Sequence, residues 1–306
     1  MSAGLFAALR GLLADYRKTL KAPEIEERLD VWVFRPMAFL LVRLLTPTSI
    51  TPNQITLLSI VVGVAAGWAI GLGTPASMAW GAFGVLLYNV LDCADGMLAR
   101  VRKLRSPLGY VLDGLAGYVG TAAIILGLGA AVVQRAGQHP LFWWTFTVIA
   151  GISMAWWCAV VDGMRLEWMR RVHGQCQDRA AELAALKDEA EQWRRAGTHR
   201  WERGLVTCYV IYVQLWEGRT LRERVAPPGE ALPVDVWAAG HRPTMRLAIW
   251  AGPTLQLTAM GLAALFGRPE WLLWTALVAG NAWGIGILVA RWAVRQRLLA
   301  GSFEEA

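Results

Sequence analysis

The chain has 306 residues, 56% of them hydrophobic, with 17 tryptophans and a formal net charge of +7. That is too apolar for an ordinary soluble domain of this length and points to a membrane protein. The basic residues flank apolar runs, which suits anionic lipid and membrane topology, so no nucleic-acid partner is expected. In chain order, "GLFAALRGLLADYRKTLK" carries Arg10 inside its apolar stretch and lacks a clear cleavage site, so it is not read as a signal peptide. Leu5, Leu9, Leu12, Leu13 and Tyr16 would share a helical face, which predicts a helix lying on the membrane, with a soluble amphipathic helix as the alternative. "FRPMAFLLVRLL", interrupted by Arg43, predicts an interfacial helix leading into the first span.

A bilayer core needs about 20 mostly apolar residues per helix. Six runs of that kind follow: Gln54 to Gly73, Met78 to Ala99, Gly109 to Val133, Leu141 to Val161, Arg246 to Phe266 and Trp271 to Ala293. Between the fourth and fifth lies a polar insertion in which "DRAAELAALKDEAEQWRRA" predicts a solvated helix. "GLVTCYVIYVQLW" is too short to span and should pack on the bundle or the interface, and "VAPPGEALP" is a loop by its prolines. The fold class expected is therefore all-α, an integral membrane bundle of six transmembrane helices with an N-terminal interfacial helix and a helical cytoplasmic insertion. Its parts are an N-terminal segment 1–46, a four-span part 47–164, the insertion 165–245, and the last two spans with the tail, 246–306. The four cysteines, Cys93, Cys158, Cys176 and Cys208, form no CxxC pair or metal-ligand spacing and are read as structural and reduced.

With both termini in the cytoplasm, the outer loops are "GTPAS", "QRAGQHP" and "GRPE", and only Arg135 and Arg268 of the 30 Lys and Arg fall outside. Trp80, Trp143, Trp144, Trp271 and Trp274 would sit at the outer headgroup level. The location expected is thus the inner or plasma membrane, multi-pass, with membrane lipids as surroundings. Gly63, Gly67 and Gly71 recur every fourth residue on the first span, and Gly280 and Gly284 do so on the last. Close packing within the bundle is the first reading of these stripes and the face of a possible homodimer the second.

The chemistry-bearing stretch is "LDCADGMLARVRKLRSPLGYVLDGLAGY". Asp92 and Asp95 share a face near the inner end of the second span, and Gly109, Asp113 and Gly117 share one on the third. The short loop between the spans brings the two faces together at the cytoplasmic surface. Carboxylates at the edge of hydrocarbon need cationic compensation. Either they form a structural network with Arg100, Arg102, Lys103 and Arg105, or they hold a divalent metal that carries phosphates. Gly96, Ala99 and Gly109 leave room for a bulky ligand beside them.

Asp92-x2-Asp95-Gly96-x2-Ala99-Arg100-x8-Gly109-x3-Asp113, seven residues over 22 positions, resembles the signature of the CDP-alcohol phosphotransferase family. "TPNQIT" before the first span resembles that family's lead-in to the same helix. The resemblance implies a six-span membrane transferase moving a substituted phosphate from a CDP-alcohol donor to a hydroxyl acceptor, possibly a lipid, with release of CMP. It implies Mg²⁺ or Mn²⁺ held by Asp92, Asp95 and Asp113, phosphate contacts from Arg100, and nucleotide space at Gly96, Ala99 and Gly109. The family pattern continues with an aspartate where this chain has Gly117, a position thought to activate the acceptor hydroxyl. Asp162 is the candidate replacement and joins Asp113 as an expected catalytic residue; its alternative is an ion pair with Arg165. Tyr118 and His173 are weaker candidates. Without a base, the chain would be a CDP-alcohol-binding pseudoenzyme or partner subunit. A transporter is disfavoured, since these acids lie at the cytoplasmic edge and not near the midplane.

Overall fold

The computed structural model describes residue 16 and residues 24–104, 107–174, 179–198, 200–222 and 232–304. Leu5, Leu9, Leu12 and Leu13 of the expected N-terminal helix lie outside them, as does most of the "VAPPGEALP" loop. Tyr16 is described: its hydroxyl donates to the Val31 carbonyl at 2.6 Å and its ring packs edge-on against Phe39. The helices are α1 (Arg35–Leu45), α2 (Pro52–Gly71), α3 (Pro75–Val101), α4 (Pro107–Ala136), α5 (Pro140–His173) and α6 (Arg179–Ala196), followed by α7 (Arg200–Arg222), α8 (Val234–Ala248), α9 (Pro253–Leu265), α10 (Pro269–Thr275) and α11 (Asn281–Glu304). Among the described residues there is no strand, and six helical stretches are long and apolar enough to cross a membrane. Large apolar side chains such as Leu57, Val61, Trp68, Trp80, Leu141 and Trp292 stand exposed around them, as a lipid-facing surface requires. The chain is a multi-pass, all-α membrane protein.

Local sequence sets where the helices begin. Thr51 caps α2: its hydroxyl accepts from the Gln54 N–H while the Gln54 side chain accepts from the Thr51 N–H, and Pro52 takes the first turn, where a missing N–H costs nothing. Thr74 and Pro75 repeat the device at α3. At the outer end, Gln134 donates to the Gly71 carbonyl at 2.6 Å and Arg135 to the Gly267 carbonyl. The three loops expected outside thus meet at one end of the bundle, opposite Asp92 and Asp95.

The glycine stripe on α2 is buried against α4. A Cβ on Gly67 would collide with the Ala123 carbonyl, and one on Gly127 with the Gly67 carbonyl, so the two backbones touch where no side chain could intervene. The stripe packs the bundle. The main apolar core, including Ile70, Met78, Val85, Tyr88, Ile124, Leu128 and Met260, fills the space between α2, α3, α4 and α9.

Three spans differ from a plain helix of the expected length, the sixth by a π-helical stretch, Ala276–Gly280, between α10 and α11. The fourth continues without a break to His173, because Val161, Met164 and Trp168 bury one face against Ile25, Trp237 and Met245 well past the apolar run. The fifth is split into α8 and α9 by a 3₁₀ turn, Ile249–Ala251, and by Gly252. A Cβ at Gly252 would strike the Glu27 carboxylate. Glu27 there accepts from the Leu255 N–H at 3.1 Å, and Asp30 from the Thr254 hydroxyl at 2.8 Å, so two acids of the N-terminal segment cap the positive end of α9.

The insertion forms the two helices α6 and α7. Leu186, Val206 and Val210 bury Val111 at the start of α4, which places the second helix on the bundle, where its apolar residues were expected to go.

Candidate active site at the inner ends of α3 and α4

Asp95 lies in the last turns of α3 with 3% of its surface exposed. One carboxylate oxygen accepts from the Thr56 hydroxyl at 2.6 Å and the other from the Gly96 N–H. Thr56 is the last residue of "TPNQIT", so the cap that starts α2 also sets the hydroxyl that fixes Asp95. Asp92, Asp95 and Asp113 are electrostatic neighbours of one another. Asp95 is buried and Asp92 half-buried, whereas Asp113 is exposed at the start of α4.

The basic residues of the intervening turn divide their work. Arg102 donates to the carbonyls of Leu45 at 2.7 Å, Thr46 at 3.2 Å and Thr48 at 2.6 Å, and also to Ile50. It therefore clamps the end of α1 and the link to α2, the favourable place for a cation at a helix C-terminus. Arg100 folds back along α3: a Cβ on Gly96 would meet its guanidinium at 3.4 Å, and its charge acts on Asp95. Ala99 and Gly109 are half-buried.

Asp162 is 58% exposed on α5 and pairs with Arg165 at 3.2 Å; the same guanidinium reaches Glu27 at 3.0 Å. The local ion pair weighed in the sequence is therefore present. Tyr118 is exposed, and His173 lies 3.0 Å from Glu24. At Gly117 an added Cβ meets nothing within 4 Å, while the Tyr88 hydroxyl donates to the neighbouring Ala116 carbonyl at 2.9 Å.

Two acids near this end were not singled out in the sequence. Asp30 is an electrostatic neighbour of Asp92, and the Cys93 thiol lies 3.8 Å from its carboxylate. Glu27 sits beside Arg165. Burial pushes Glu27 up to about 7 against the pull of Arg165, and burial raises Asp30 as well. Their only sequence signal is the acidic run "EIEERLD" in an otherwise basic N-terminal part.

The donor set is of the type a hard divalent cation takes, three carboxylates, and each Asp95 oxygen, though it accepts one hydrogen bond, has a second lone pair. The convergence is incomplete. Among the described residues no three His, Cys, Asp or Glu side chains stand close enough to hold an ion together, since Asp95 is turned toward Thr56 and Gly96.

A helical bundle with acids gathered at one end of two adjacent spans defines the class, a multi-pass membrane protein with a polar cluster at the edge of its apolar layer. Residues 49–175 match the family model described as CDP-alcohol phosphatidyltransferase. It contains the whole motif and the Gly117 departure. The chain is similar to human cholinephosphotransferase 1, with 30% identity over 129 residues, covering 39% of this chain and 31% of the relative. It is also similar to the chicken protein of the same name, with 29% identity over 147 residues, 44% of this chain and 42% of the relative. The mouse protein gives 28% over 128 residues, 39% and 32%. The matched segments thus span between 31% and 42% of those relatives' length.

Proposed function

We propose that the chain is a membrane transferase that moves a substituted phosphate from a CDP-alcohol to a hydroxyl acceptor and releases CMP, in phospholipid or related lipid synthesis. The observation that carries this is the match of residues 49–175 to the family model, and the reading is supported by Asp92 and Asp95 on α3 and Asp113 on α4, which feel one another's charge within that segment. The relatives named cholinephosphotransferase support a CDP-alcohol donor and a lipid acceptor.

In this reading Asp92, Asp95 and Asp113 hold Mg²⁺ or Mn²⁺, with Thr56 fixing the orientation of Asp95. Such an ion supplies neutralisation of the diphosphate as the bond to CMP breaks. Arg100 binds phosphate oxygens, and Gly96, Ala99 and Gly109 admit the nucleotide. The acceptor oxygen attacks phosphorus in line with the departing CMP oxygen, and its proton passes to a carboxylate, for which Asp162 is the proposed base. Placing the acids on the cytoplasmic side, with both termini there and the chain in the inner or plasma membrane, gives the donor site access to soluble nucleotide. The binding-only alternative has Gly117 in its favour but not the transfer activity in the relatives' names.

The test is metal-dependent binding of CDP to purified protein. Asp92→Asn, Asp95→Asn and Asp113→Asn should each abolish it, because each removes one anionic ligand from a shared ion. Unchanged metal-dependent binding in all three variants would reject the site.

A further inference from the structure

A cavity of about 260 Å³ opens between the N-terminal segment, the inner end of α5 and α8, lined by Glu24, Arg28, Trp168, Arg242, Met245 and Arg246. None of these belongs to the transferase site proposed above. Arg242 and Arg246 lie one turn apart on α8, and Arg28 reaches the same opening from the N-terminal segment. The single acid of the lining is engaged elsewhere: Glu24 accepts from the Trp168 indole at 3.2 Å and lies 3.0 Å from His173. Among the described residues no carboxylate pairs with Arg28, Arg242 or Arg246.

Three guanidiniums around one small cavity repel one another unless an anion lies between them. Their planar forks match phosphate oxygens, and two positive charges remain after Glu24 is counted. Trp168 and Met245 give the cavity an apolar wall suited to the carbon part of a small phosphoester. Arg246 opens the uninterrupted apolar run Arg246 to Phe266, with exposed Leu247 and Trp250 just beyond, and a cation at the start of such a run belongs at headgroup depth. We propose that this cavity binds a phosphate group, presented either by an anionic phospholipid headgroup or by a soluble phosphomonoester.

The experiment needs no donor nucleotide, so its outcome is independent of the transferase reading. Thermal unfolding of the purified full chain is followed in neutral detergent with glycerol 3-phosphate or inorganic phosphate against chloride at equal ionic strength. It is then repeated in phosphatidylcholine vesicles with and without phosphatidylglycerol. Stabilisation by the soluble phosphates identifies a phosphomonoester site; stabilisation by phosphatidylglycerol alone identifies a headgroup site; both support the proposal. Arg242→Gln/Arg246→Gln and Arg28→Gln should weaken the apparent affinity about tenfold or more, given what hydrogen bonds to a charged partner contribute. Arg297→Gln, an exposed arginine on α11, should leave it unchanged. Arg242 and Arg246 are exposed, so their replacement leaves the core intact, and Arg242→Lys/Arg246→Lys keeps the charge while removing the fork. The proposal is overturned if no phosphate stabilises more than chloride, or if the glutamine variants respond as the wild type does.

Discussion

Gly117 is where the chain departs from the motif it otherwise keeps, and the surroundings of that glycine decide what a restored acid would do. No atom lies within 4 Å of an added Cβ, so Gly117→Asp enters open space one turn deeper than Asp113 on the same face. A well-placed general base contributes typically about 10²- to 10⁴-fold, so this variant should raise CMP release strongly if the wild type lacks a base and retains its acceptor site. If Asp162 supplies the base, Asp162→Asn should lower wild-type turnover by a comparable factor with CDP binding nearly unchanged. Its ion pair with Arg165 does not oppose that role, because Arg165 has Glu27 as a second partner and Asp162 is more than half exposed. Full activity in Asp162→Asn would reject it as the base. No turnover in either wild type or Gly117→Asp across a broad donor and acceptor panel would favour binding alone.

The split fifth span shows how one helix can depend on another segment's charge. At the break after Gly252 Glu27 accepts the Leu255 N–H, Asp30 accepts the Thr254 hydroxyl beside it, and Glu27 carries the consequence in its ionisation. The folded value of Glu27, about 7, lies above the ordinary 4.5, so the stability it contributes is full below the ordinary value and is lost as pH rises through the folded one. The loss amounts to about 3 kcal/mol at most. Melting of the wild type should therefore fall between mildly acidic and mildly alkaline pH, and Glu27→Gln should remove most of that slope, Asp30 keeping a smaller one of the same sign. Equal slopes in the two proteins would refute this account. The six spans were legible in the sequence because an apolar run of sufficient length has few other uses, and the acids of α3 and α4 because their helical spacing alone puts them on facing sides. The break at Gly252 had a signal, the Gly-Pro pair inside "AIWAGPTLQL", which the apolar run masked; that Glu27, far away in sequence, fills the gap was not legible. Nor was the link from Thr56 to Asp95, which depends on how α2 and α3 are packed, nor the role of Arg102, which in the sequence looked like any loop cation.

Across the entire chain, the two ends of the bundle differ in what holds them. The end with Gly71, Arg135 and Gly267 is closed by short loops, with Gln134 and Arg135 bonded across them, while the other gathers the acids, Arg102, Arg165 and the insertion helices. Charge of that asymmetry sorts to one side of a bilayer, the side where Lys and Arg are retained during insertion. The helix α6 belongs to that same end through α7 and Val111, which tie the insertion to the first turn of α4 and so to the neighbourhood of Asp113. Leu183, Leu186 and Trp193 hold α6 on α7 while the exposed pairs of Glu191 with Arg194 and Arg195 add little, so a protease should reach the segment around Glu182 to Trp193 through local opening of the α6–α7 pair. Protease added to inside-out vesicles should therefore digest that segment, and added to right-side-out vesicles should leave it intact. The reverse pattern would invert the orientation of the chain, moving the acids and the arginine-lined cavity away from the cytoplasmic nucleotide pool and removing the basis for a CDP-linked donor.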